Sequence, residues 1–216
     1  MVSILFEDNH QVVVNKPAGL LTQPSGTNQD SLEAQVKQWI KEHYNKPGNV
    51  FLEAVHRIDK PVSGIVLFAR TSKGLSRLQE SMREKKSKKI YLALIEGVLG
   101  NPNGTLEHYL VHDDFQARIA PKTDSAAKLA RLHYRVLKQA GQCCLVEIEL
   151  ETGRYHQIRV QFAAIGHPIR GDVKYGSRFA ESEEHIFLHH SRLQIPHPIT
   201  GELQQFEAPL PDYWSA

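Results

Sequence analysis

Residues 54–71 read AVHRIDKPVSGIVLFART, a polar insert, His56-Arg57-Ile58-Asp59, set between two apolar runs. The runs read as buried strands and the insert as the place where chemistry is carried. In an extended backbone successive side chains alternate between faces, so Arg57 and Asp59 share one face and His56 and Ile58 the other. Pro61 has no amide hydrogen to give to a ladder, and Gly64 permits backbone angles that other residues avoid. A sharp bend is therefore expected before the run at 65–69, with Asp59 held at the edge of an element. The competing reading is a plain polar turn whose Arg57–Asp59 ion pair, exposed to water, is worth about 0–1 kcal/mol.

Upstream, apolar runs at 2–6 and 11–14 flank Glu7-Asp8-Asn9-His10, the pattern of a hairpin, and Asn15-Lys16-Pro17-Ala18-Gly19 breaks its second strand. Leu32, Val36, Trp39 and Ile40 recur at helical spacing after Asp30, with Glu33 three residues on in capping-box fashion, which predicts a helix over 31–43. Pro47 and Gly48 end it. Downstream, Ser72 reads as the N-cap of a second helix whose apolar face carries Leu75, Leu78 and Met82. Its far end is the basic run REKKSKK at 83–89, followed by a strand over 90–98.

Further strands are expected near 105–112, 115–120, 129–137 and 143–151, where Cys144, Val146, Ile148 and Leu150 alternate with more polar neighbours. Ile158, Phe162 and Ile165 mark a helix stopped by Gly166-His167-Pro168, and two last strands fall around 186–195 and 203–208. Strands outnumber helices without alternating regularly with them. The expected fold is α+β, a mixed, largely antiparallel sheet flanked by helices, in a single domain over 1–216. No glycine-rich phosphate loop is present.

Twenty-six Lys and Arg stand against 24 Asp and Glu, a formal charge of +2, so any affinity for nucleic acid must come from a local patch. The two cysteines, Cys143 and Cys144, are adjacent in an apolar run, poorly spaced for a disulfide or a zinc site, and read as packing residues in a reducing compartment. The first ten residues lack a basic and then apolar leader, and no long apolar span follows, so no membrane contact and a cytoplasmic location are expected. His108 and His112 are four apart but in a strand-like segment, where that spacing makes no helical metal pair; no metal is expected.

The string His56-Arg57-Ile58-Asp59 followed by Ser63-Gly64 and an apolar strand resembles the central motif of the RluA-type RNA pseudouridine synthases. Four other stretches resemble motifs of that family in the same order: VVVNKPAGLLTQP at 12–24, KKIYLALIEG at 88–97, TGRYHQIRVQ at 152–161 and IGHPIRGDVKYG at 165–176. The resemblance implies a pseudouridine synthase fold, no cofactor, and a structured RNA partner, ribosomal or transfer RNA, acted on by a monomer. With the first strand beginning at residue 2, it implies the catalytic domain without the S4-type RNA-binding domain of some members. It assigns catalysis to Asp59, Tyr91 and Arg159, and substrate contacts to Arg57, Asn15, Lys16, Ser63, Gly64, Arg154, His156 and Gln157. Ile58 and Val62 stand where Leu and Thr are usual and Pro61 replaces a polar residue, so no role is carried over for a hydroxyl at position 62.

The chemistry fits those residue types. Isomerising uridine breaks the bond from ribose to a base nitrogen and rejoins the ribose to a base carbon, so no atom is gained or lost. An ordinary carboxylate, with a pKa of about 3.9, is ionised at neutral pH, and both attack on the sugar and removal of a ribose proton fit it. The resemblance gives Arg159 the task of keeping that carboxylate charged and oriented. A stacked uridine must first be flipped out, at a cost of a few kcal/mol. Arg57, planar and cationic, is the candidate to fill the vacated stack, and Tyr91 to pack on the flipped base. Read without the motifs, Tyr91 is a core tyrosine in a strand and Arg159 lies on a solvated helix face. Lys85, Lys86, Lys88 and Lys89 are candidates for phosphate contacts, although basic residues also suit the C-terminal end of a helix.

An RNA-binding module without turnover is the alternative from another class. A glycosidase needs two carboxylates about 5–9.5 Å apart. Glu53, the nearest preceding acid, lies roughly 20 Å from Asp59 along an extended chain.

Overall fold

In the computed structural model, which describes residues 2–215, the chain forms two compact units. One comprises the residues up to 89 together with those from 190 onward, and the other residues 90–189.

The first unit opens with the expected hairpin, β1 (Ser3–Glu7) antiparallel to β2 (Gln11–Lys16), with a bulge between Ile4 and Phe6. β2 runs through Asn15 and Lys16, so the break falls at Pro17, the first residue that cannot donate to the ladder. β2 pairs antiparallel with β4 (Ser63–Ala69), from Gln11 opposite Ala69 to Lys16 opposite Gly64. The two-residue β3 (Glu53–Ala54) also pairs with β4. On the far side of β4 lies β10 (Leu188–Pro196), and β11 (Leu203–Glu207) is antiparallel to β10. Every residue of β4 is buried, which explains why its sequence is a continuous apolar run and not an alternating one. Val13, Ile65, Leu67, Leu193, Ile195 and Phe206 make the core, against which Leu78 packs from α2 (Ser72–Arg83) with Leu75 and Met82 beside it.

The helices fall where the periodicity predicts them, but both caps shift by one residue. α1 (Leu32–His43) is capped by Ser31, whose side chain accepts from the Ala34 amide, not by Asp30. Ser31 holds the extended backbone a cap requires, while Asp30 Oδ1 accepts from the Ser31 amide and Glu33 turns to Lys37. α2 is capped by Thr71, accepting from the Gly74 amide, not by Ser72. α2 ends at Glu84 with Lys85 in the left-handed region at φ +58°. The Lys85 amide bonds to the Met82 carbonyl and the Lys86 amide to that of Ser81, the two bonds of a Schellman motif.

In the second unit β5 (Lys88–Glu96), β9 (Cys143–Leu150), β8 (Lys128–Ala140), β6 (Asn103–Asp113) and β7 (Gln116–Ala120) lie side by side in that order, all antiparallel. The helix α3 (Gln157–Ala164) packs Val160 against Leu110, Ala117 and Ala130. Helices interrupt the run of strands only at irregular intervals, and every register resolved above is antiparallel, the α+β architecture that the sequence predicts. Among the described residues no helix is long and apolar enough to cross a membrane.

Candidate active site

In the first unit the segment 55–62 leaves β3 and returns to β4 as an irregular loop, anchored at each end. The Val55 amide bonds to the Leu67 carbonyl, and His56 Nε2 accepts from the Leu67 amide at 3.3 Å. That bond requires an unprotonated Nε2. Burial, with the Lys89 charge adding to it, pulls the His56 pKa down to about 3, so the acceptor is available. The ring meets His190 edge-on at 5.3 Å, and His190 Nδ1 lies 2.8 Å from the Ile65 carbonyl oxygen. On the other side of Asp59 the Val62 amide closes a turn onto the Asp59 carbonyl, with Lys60 and Pro61 at its corners. The expected bend therefore sits at residues 60–61, and Gly64 lies within β4.

Gly64 is required not for the bend but for a close approach of two strands. Its φ is +111°, and a Cβ built on it would stand 2.3 Å from the His190 carbonyl oxygen. Ser63 is fully buried, its hydroxyl 3.2 Å from that of Tyr213. Arg57 is exposed, Asp59 half-buried and Ile58 buried, so the loop presents its charged residues and sinks the apolar one between them.

The segment 15–22 lies against this loop. Lys16 is fully buried, and its Nζ donates to the carbonyls of Pro17 (2.9 Å), Leu20 (2.6 Å) and Lys60 (3.1 Å). Burial lowers its pKa to about 7, with the charge of Asp59 pulling the other way. The Lys16 ammonium is thus committed to the loop carbonyls. The Gly19 amide adds a bond to the Lys60 carbonyl, and Asn15 is half-buried at the end of β2. Of the basic run, Lys85, Lys86 and Lys88 are exposed, with Lys86 paired to Glu84 at 2.6 Å. Lys89 is half-buried and its pKa is lowered by burial.

In the second unit Tyr91 is buried in β5, opposite Ile148 of β9. The chain leaves β9 through Thr152-Gly153-Arg154 and enters α3 by way of His156, which occupies the left-handed region at φ +50°. Gln157 shapes that turn: its Oε1 accepts from the Thr152 hydroxyl and the Arg154 amide, and its Nε2 donates to the Arg131 carbonyl. Arg154 is exposed and its Nε donates to the Leu129 carbonyl.

Arg159 is only 4% exposed, so the solvated-face reading of this residue does not hold. Its Nε and Nη2 donate to the two carboxylate oxygens of Asp172 at 2.7 and 2.8 Å, and its guanidinium lies 5.0 Å from the Tyr175 ring centroid. The Tyr175 hydroxyl accepts from the Ala117 amide and lies 2.8 Å from His156 Nδ1. Burial, then the charges of Arg159 and Lys174, lower the His156 pKa to about 3. Asp172 and Tyr175 belong to the GDVKYG stretch, whose acid and aromatic residue next to glycines were the available signal. Thr22, buried beside the Asp59 loop, had only its place in the stretch 12–24.

Comparison with known proteins gives the family of the chain. Residues 10–164 match the family model described as RNA pseudouridylate synthase. The chain is 37% identical over 218 residues to an uncharacterized RNA pseudouridine synthase, YhcT, of Bacillus subtilis, covering 97% of this chain and 69% of that protein. It is 32% identical to the ribosomal large subunit pseudouridine synthase D of Pseudomonas aeruginosa (98% and 69% covered). With the dual-specificity RNA pseudouridine synthase RluA of Haemophilus ducreyi it shares 36% identity (94% and 90% covered). The solved structure of human RNA pseudouridylate synthase domain containing 4 shares the fold, with a TM-score of 0.83, 23% identity, and 99% and 90% of the two chains covered. The chain belongs to the RluA-type RNA pseudouridine synthases, a family of isomerases that act on RNA.

Proposed function

We propose that this protein isomerises specific uridines of ribosomal or transfer RNA to pseudouridine, with Asp59 as the catalytic residue. The observation that carries the reading is the Asp59 loop. A half-buried carboxylate sits in irregular backbone whose neighbours on both sides are tied down by hydrogen bonds, the preorganisation an active carboxylate needs. Arg57, exposed next to it, fills the stack left by the flipped uridine. Tyr91 packs on that base and Arg159 orients the carboxylate. Lys16 acts by holding the loop, while Asn15, Ser63, Gly64, Arg154, His156 and Gln157 shape the surroundings of the nucleotide. A relative named for the ribosomal large subunit supports ribosomal RNA as a substrate, and one named for dual specificity supports more than one target RNA.

The protein acts as a monomer and a single catalytic domain in the cytoplasm, in keeping with its two buried free thiols. The test is Asp59→Asn, assayed by mass spectrometry on RNA from a strain lacking the gene. The variant folds and binds RNA with wild-type affinity but forms no pseudouridine; pseudouridine at the wild-type rate would refute the assignment.

A further inference from the structure

Resting on the reading of Asp59 as catalytic, we infer that Thr22 is a positioning residue for it, acting through the backbone of Ile58. The Thr22 hydroxyl donates to the Ile58 carbonyl at 2.8 Å and accepts from the Ile58 amide at 3.3 Å. One side-chain oxygen thus supplies both partners that a neighbouring strand would give, at the residue preceding Asp59. Among the described residues the Ile58 amide and carbonyl make no other hydrogen bond. Ile58 is 7% exposed and Thr22 4%, so without that hydroxyl two polar backbone groups would be left unpaired away from water.

Thr22 is itself fixed from behind. Its carbonyl accepts from the Glu33 amide and that of Leu21 from the Leu32 amide, which ties the segment to the first turn of α1. A threonine is stiff at its first side-chain torsion, so the direction of the hydroxyl follows from the backbone. Lys16 and Gly19 hold Lys60 on the other side of Asp59, but those bonds govern the residue after the carboxylate. The hydrogen bonds to the backbone of the residue before it come, among the described residues, from Thr22 alone. Misplacing a reacting group by about 1 Å costs on the order of 100-fold in rate, and that cost falls on the chemical step more than on binding.

The experiment is single-turnover kinetics on a substrate RNA, with the rate expressed per enzyme competent to bind that RNA, alongside the RNA dissociation constant. Thr22→Val keeps shape and stiffness but loses both bonds, and the rate falls about 30-fold or more while RNA affinity stays within about twofold. Thr22→Ser keeps the hydroxyl but not its fixed direction and lies between, roughly three- to tenfold below wild type. A merely structural role would lower the competent fraction and leave the normalised rate alone. If Thr22→Val does not fold, Thr22→Ser carries the test. A wild-type normalised rate in the folded variants, or affinity lost in proportion to rate, overturns the inference. Activity in Asp59→Asn would instead overturn the reading on which it rests.

Discussion

A methyl group added at Gly64 has nowhere to go. It would force a left-handed backbone on an alanine and collide with main-chain atoms of His190, which cannot swing aside as a side-chain tip would. Gly64→Ala therefore destabilises the protein by roughly 3 kcal/mol, strain and overpacking together, read as a lower urea midpoint at unchanged slope. His56 gives a pH dependence. Its pKa falls from 6.5 unfolded to about 3 folded, so between these values the unfolded chain binds the extra proton. Stability is full above pH 6.5 and is lost as the pH drops toward 3, with about 2 kcal/mol gone at pH 5. The rings and charges facing it, His190 and Lys89, remain in His56→Asn, whose stability falls less between pH 7 and 5 by about that amount; parallel curves for the two proteins would refute this. The candidate residues legible in the sequence were those whose type suits chemistry and whose spacing forms a motif, as in His56 to Asp59. Thr22 and Asp172 lie in stretches that resemble family motifs, but their roles were not read, because their partners lie 36 and 13 residues away and neither position lies on a periodic pattern.

Among the elements, the C-terminus of α2 holds a correctable flaw. Lys85 occupies the left-handed position of a Schellman motif at φ +58°, where glycine bears no Cβ penalty. Lys85→Gly raises stability by about 1 kcal/mol, seen as a higher melting temperature; an unchanged or lower one would mean that the lysine side chain is worth more than the strain. Helices and strands were legible because their periodicity is repeated over many residues, as in Leu75, Leu78 and Met82. Each cap depends on one residue's backbone angles, and so Ser31 and Thr71 replaced the neighbours Asp30 and Ser72. The 3₁₀ turn Val173–Tyr175, which follows Asp172, is too short to have any period.

For the molecule as a whole, a formal charge of +2 leaves little general attraction for RNA, so the salt dependence of binding is set by clusters. Replacing Lys85, Lys86 and Lys88 with alanine lowers the slope of log affinity against log salt by about two, Lys86 being partly engaged by Glu84; an unchanged slope would remove these lysines from the RNA contact. The path of the chain has a different consequence. Residues 90–189 form one unit without interruption, whereas the unit carrying Asp59 draws Leu193, Ile195 and Phe206 of its core from beyond residue 190. During synthesis the uninterrupted unit emerges whole while the other still lacks β11 and nearly all of β10. A nascent chain stalled before residue 190 therefore holds the aspartate, its loop and Thr22 in a core that has not closed, and that core is complete only once β10 and β11 have left the ribosome.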